Sequence, residues 1–201
     1  VGFAALEVNT TGANNTAVGK SALVANTTAA NNTAVGTSAL TANTTGSENT
    51  ASGTYALATN TTGANNVAMG YNSLGANTTA ANNTAVGFRS LQENTTGAYN
   101  IAVGGLAGKG ITTGNRNIAI GNGSMENGTM TGADNTAVGH NALNLLGGAN
   151  YNTAVGAYAL DATTTGDNNI AIGRSALGVN TTGASNTAVG TFALDANTTA
   201  S

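Results

Sequence analysis

Asn32-Thr33-Ala34-Val35-Gly36-Thr37-Ser38-Ala39-Leu40-Thr41-Ala42-Asn43-Thr44-Thr45-Gly46-Ser47-Glu48 is one copy of a unit that fills the chain. The glycine closing Asn-Thr-Ala-Val-Gly recurs at Gly2, Gly19, Gly36, Gly53, Gly70, Gly87, Gly104, Gly121, Gly139, Gly156, Gly173 and Gly190. Each step is 17 residues, except one of 18 between Gly121 and Gly139. A fixed period of this kind is the mark of a stacked architecture in which each unit buries surface only against its neighbours. Helical repeats are about twice as long, and this unit is punctuated by Gly, Asn and Thr, which oppose helix. A short unit of β-branched and turn residues fits one coil of an all-β parallel β-solenoid. The expectation is a single array over residues 1–201, of about twelve coils, cut from a longer fibre protein.

The columns of the repeat carry distinct expectations. Four residues before the anchor stands Asn15, Asn32, Asn49, Asn66, Asn83, Asn100, Asn117, Asn135, Asn152, Asn169 and Asn186. Asn tolerates left-handed backbone and hydrogen-bonds its own turn, so this column reads as a corner, and stacked Asn side chains can form ladders. The next three residues form a strand of period two. Positions minus three (Thr16, Val67, Ile101) and minus one (Val18, Ile120, Val155) are assigned to the coil interior. Position minus two then faces outward. It is Ala17, Ala34, Ala51, Ala68, Ala85, Ala102, Ala119, Ala137, Ala154, Ala171 and Ala188. An unbroken Ala column on an outer face implies close packing by another chain, and the expected partner is a second copy. A second strand is expected at plus three (Ala or Ser) and plus four (Leu23, Leu57, Leu160). The stretch 104–133 is expected to be irregular. Gly108 stands there in the Leu column, Ile111-Thr112-Thr113 replaces Asn-Thr-Thr, and the extra residue falls near Glu126 to Thr131.

Composition excludes several classes. The 201 residues contain no Cys and no Pro, 6% charged residues and 4% aromatics, with net charge -3. No disulfide or thiolate metal site can form, and no apolar run is long enough for a membrane helix. Five scattered Lys and Arg residues make no basic stripe, so nucleic acid is not an expected partner. Eight scattered acids form no recurring pair for acid–base chemistry and no Asp column for calcium. No cofactor, metal or catalytic residue is expected, and His140, the one histidine, reads as a loop residue. Chemical character is confined to turn residues after the anchor: Phe3, Lys20, Tyr71, Phe88, Arg89, His140, Tyr158, Arg174 and Phe192. Aromatics and Arg are favoured at binding hot spots, which makes these the candidate exposed contacts.

Asn-Thr-Ala-Val-Gly, and its variant Asn-Ile-Ala-Ile-Gly at Asn117 to Gly121 and Asn169 to Gly173, resembles the head repeats of YadA-like trimeric autotransporter adhesins. The arrays are also similar to those of bacteriophage tail fibres and other trimeric bacterial fibres. The resemblance covers essentially the whole chain, although this unit is longer than the one usual in those heads. It implies a left-handed parallel β-roll, a homotrimer around one fibre axis, and attachment to a cell-surface glycan or protein receptor. It also implies an extracellular place, on a bacterial surface or a phage virion. Two other readings arise from the residues. Thirteen Asn-x-Ser/Thr sites would suit a glycosylated extracellular filament. The paired columns Thr27 to Thr95 and Thr28 to Thr96 raise an ice-binding face, which adjacent strand residues pointing opposite ways make hard to build.

Overall fold

The computed structural model of the protein describes residues 1–201. It is a parallel β-solenoid without helix. Eleven strands, from β1 (Thr16–Val18) and β2 (Thr33–Val35) to β11 (Thr187–Val189), pair in strict chain order in one sheet. Register follows the repeat: Thr16, Ala17 and Val18 stand opposite Thr33, Ala34 and Val35. Each strand is only three residues long, and turns make up the rest of the coil. Only 20 of 127 backbone hydrogen bonds lie within strands. The stack is therefore held chiefly by turn-to-turn bonds between rungs. The N–H of Ser21 donates to the Phe3 carbonyl one rung back (2.8 Å), and the N–H of Leu23 donates to the Ala39 carbonyl one rung forward (3.0 Å).

The face assignment of the strand is the reverse of the sequence expectation. The Ala column is interior: Ala34 through Ala171 is fully buried, and Ala17 and Ala188 nearly so. Val18, Val35, Met69, Ile101, Val103, Ile120, Val155, Ile170, Ile172 and Val189 are exposed. The alternation is right and its phase is wrong. The cause is the width of the coil. Across from the strand lie the plus-three and plus-four side chains, and the space between takes a methyl group but not an isopropyl. The Asn column shares the parity of the Ala column, because residues two apart on a strand share a face. Asn32 through Asn169 is accordingly buried as well, and so does more than turn a corner. These Ala residues cannot form an inter-chain contact, since they have no surface to offer.

The second strand is also absent. Residues plus one to plus five are turns, with left-handed backbone at plus two (Ser21 φ 55°, Tyr55 φ 61°) and at plus four (Leu23 φ 51°, Leu57 φ 51°). That alternation lets two consecutive residues, Ala22 and Leu23, both point inward, which a strand of period two forbids. Left-handed backbone costs roughly 1–2 kcal/mol per non-glycine residue. Burial of the plus-four Leu in most rungs, and of Met125 in one, works against that cost, at about 1.5–3 kcal/mol each.

Two buried Asn ladders line the interior, the first along its whole length and the second as far as Asn94. In the first, Oδ1 of each Asn accepts the backbone N–H of the next, as from Asn49 to Asn32 (2.9 Å) and Asn66 to Asn49 (3.0 Å). Nδ2 donates across the coil, from Asn49 to the Gly63 carbonyl (2.9 Å). In the second ladder, Nδ2 of Asn26, Asn43, Asn60, Asn77 and Asn94 each donates to Oδ1 of the preceding Asn, at 2.7–3.2 Å. Polar groups without water access must be paired in this way.

The second ladder stops at the irregular unit. Ile111 follows Asn94, whose Oδ1 is left buried without a donor. Gly108 has vacated the Leu column, and a Cβ there would lie 3.2 Å from Ile111 Cδ1. Ile111 thus supplies the side-chain volume that Leu supplies elsewhere, with Met130 and Leu146 buried in the rungs beyond. The extra residue lies between Ser124, whose carbonyl accepts the Gly108 N–H 16 residues back as in the regular rungs, and Met130, whose carbonyl accepts the Thr112 N–H 18 residues back where the regular rungs have 17. The stack continues through it in register, Ile118 opposite Thr136.

The anchor glycine is a steric requirement. Gly70 has φ 133°, and a Cβ on it would sit 2.4 Å from the Gly87 carbonyl oxygen. Gly70→Ala is expected to cost about 3 kcal/mol, at the upper end of the scale for forcing one strained backbone position. A urea melt reads the loss as a lowered midpoint.

Candidate functional site

Two surfaces stand out. The first is the outer face of the sheet. Because the small residue of each strand faces in, its two neighbours face out, and in-register stacking aligns them into a ribbon of two columns parallel to the rod axis. The minus-one column is Val, Ile or Met in every strand except the third, where Ser52 stands, and the minus-three column is Thr in seven strands and Val or Ile in four. No charged residue interrupts the ribbon in any of the eleven strands. Ordinary soluble surfaces rarely leave so long an apolar patch uncovered.

The second surface is the turn edge after the anchor, and the candidate contacts gather there in two clusters. Tyr71 and Phe88 stack with ring centroids 5.6 Å apart and planes 15° apart, and Tyr55 meets Tyr71 edge-on at 6.1 Å. The Arg89 guanidinium lies 5.7 Å from the Phe88 ring. Further along, His140 meets Tyr158 edge-on at 5.3 Å, and the Arg174 guanidinium sits 5.4 Å from the Phe192 ring. Lys20 is exposed and belongs to neither cluster. Except for that of Arg89, these ring contacts thus join residues that are one rung apart in space and 16 to 18 apart in sequence.

The sequence reading passed over three residues of this edge: Tyr55, Asp161 and Asp195. Tyr55 shares the plus-two column with Arg89, Tyr158 and Phe192, and that shared column was the available signal. Asp161 is about half buried. Burial pushes its carboxyl above the ordinary range, an effect partly countered by the nearby His140. On the opposite corner, fully exposed Arg116 grips Asp134 with two hydrogen bonds of 2.7 and 2.8 Å. That contact holds the Asp134 carboxyl below its usual range.

The Thr columns behave unequally. Thr27, Thr44, Thr61, Thr78 and Thr95 each donate a hydroxyl proton to the backbone carbonyl one rung ahead, at 3.0–3.3 Å. The neighbouring Thr28, Thr45 and Thr62 are exposed. The first column is therefore tied into the stack. No three His, Cys, Asp or Glu side chains come together as a metal site, and no helix is long and apolar enough to cross a membrane.

Comparison of the chain with protein-family models, with curated proteins and with solved structures returned no match.

Proposed function

We propose that this chain is a non-catalytic, stiff segment of an extracellular fibre, at a bacterial surface or on a phage virion, that supports attachment to a cell surface. In this reading three copies of a left-handed β-roll of about twelve coils pack around one axis. The observation that carries it is the apolar ribbon on the outer strand face. A ribbon parallel to the rod can be covered along its whole length by identical ribbons related by a rotation axis parallel to the rod. It has no charge to oppose self-association, and burying what remains exposed is worth on the order of 10 kcal/mol per chain before the entropic cost of assembly. The contact belongs not to the Ala column but to the largely aliphatic minus-one column on the outer face, with the Thr, Val and Ile of minus three beside it. Eleven stacked strands span about 50 Å, and the turn edges would face outward to meet a receptor.

The test is a double substitution on the ribbon, Val103→Glu with Ile120→Glu. Both side chains already touch solvent, so each coil should keep its far-UV spectrum. Sedimentation velocity should show the assembly falling to monomer. An assembly that survives both charges would exclude this face as the contact.

A further inference from the structure

The last three anchored rungs carry a notch of about 330 Å³, lined by Tyr158, Asp161, Ser175, Gly178, Val179, Phe192 and Asp195. Its origin lies in the repeat. Tyr158, Ser175 and Phe192 are successive residues of the plus-two column, and Asp161, Gly178 and Asp195 are successive residues of the plus-five column. The middle rung has the two smallest side chains, so a gap opens between two rungs that each carry one aromatic ring and one carboxylate. Those two rungs stand roughly 9–10 Å apart, room for one small group between the walls. The plus-five column has one other glycine, Gly75, but its rung carries Asn72 at plus two, whose Oδ1 lies 2.0 Å from where a Cβ on Gly75 would stand and so fills the space. No such gap is found there or at the rungs of Val24 and Gln92.

We propose that this notch binds an organic ammonium group. Neither Asp161 nor Asp195 has a cationic partner: the ion pairs of the chain are Lys109 with Glu93 and Arg116 with Asp134. The notch therefore brings two carboxylates, neither of them in an ion pair, together with two aromatic rings, which is the chemistry that attracts an alkylammonium. Arg174 at the rim already lays its guanidinium against Phe192, so that ring accepts a cation in this setting. A neutral sugar could stack on the rings but would gain nothing from the carboxylate charge. The site lies on the turn edge, away from the strand ribbon, and does not depend on assembly.

The experiment titrates the intact chain with n-butylammonium, choline and a neutral methyl pyranoside, followed by NMR shifts of the Tyr158 and Phe192 rings. Saturable binding of butylammonium, choline or both is expected, weakened by added salt. A primary-amine preference points to a lysine-like ligand, and a choline preference to a quaternary headgroup. Asp161→Asn and Phe192→Leu should each weaken binding about tenfold, the scale of one lost charge or cation–π partner. Gly178→Val should fill the notch and abolish binding while leaving the fold intact, because Val24 occupies the same column of a regular rung. Absence of saturable cation binding, equal binding of the neutral pyranoside, or unchanged affinity in Gly178→Val would overturn the proposal.

Discussion

Ala102→Leu is expected to destabilise the chain by about 3 kcal/mol or more, the upper range for forcing methylenes into a filled core. Ala102 is fully buried. Its Cβ lies 3.3 Å from where a Cβ on Gly108 would stand, with Leu91 Cδ2 3.0 Å from that same point. Three added carbons have nowhere to go except by prising two rungs apart. Ala85, equally buried one rung back, should respond alike. The control is the neighbouring residue: Val103→Leu, on the outer face, should shift the urea midpoint hardly at all. Urea melts of the pair distinguish an inward Ala from an outward one. A silent Ala102→Leu with a disruptive Val103→Leu would restore the opposite phase.

The second large effect belongs to the Asn ladders. Asn66 donates through Nδ2 to Asn49 Oδ1 (3.2 Å) and to the Ala80 carbonyl (2.9 Å), and its Oδ1 accepts the Asn83 N–H (3.0 Å). Asn66→Asp keeps the shape and the acceptor but removes both donors, and it sets a carboxylate against two oxygens in a site without water. A loss of about 3–5 kcal/mol is expected at neutral pH, the scale of an uncompensated buried charge. Burial raises the folded-state pKa of such a carboxyl above its unfolded value, so the folded form binds the proton more tightly. The penalty should therefore grow as pH rises above the unfolded value and shrink on acidification. Thermal melts across pH read this directly. Asn65→Asp, exposed one residue away, should show neither the loss nor the pH dependence.

Much of the fold was legible in the sequence because period is insensitive to side-chain detail. Seventeen-residue spacing, parallel stacking and the strand at Thr-Ala-Val follow from where Gly and Asn recur, and the irregular stretch announced itself by Gly108 and Ile111. The phase of the strand was misread because large apolar residues were assumed to seek the interior. Here the turn Leu residues already fill the interior, so on the strand side only a small residue fits inside, and the invariant Ala marks the inward face. The signal was present: minus one varies among Val, Ser, Met and Ile, and minus three among Thr, Val and Ile, as outward positions can. The left-handed backbone at Leu23 and its equivalents was not legible, since Leu has no preference for it. The candidate contacts were found one by one as turn residues. Their gathering into the Tyr71–Phe88 and Tyr158–Phe192 clusters depends on the rise between rungs, and the Asp161 notch on two small residues in one rung.

In the proposed fibre a lone chain is an incomplete object, and its mass in solution tests that proposal most directly. Multi-angle light scattering on the 201-residue chain of 19.3 kDa should report three times that mass, unchanged on dilution through the micromolar range. A stable, soluble monomer at the same concentrations would contradict the account, because the Val and Ile ribbon would then be standing in water uncovered.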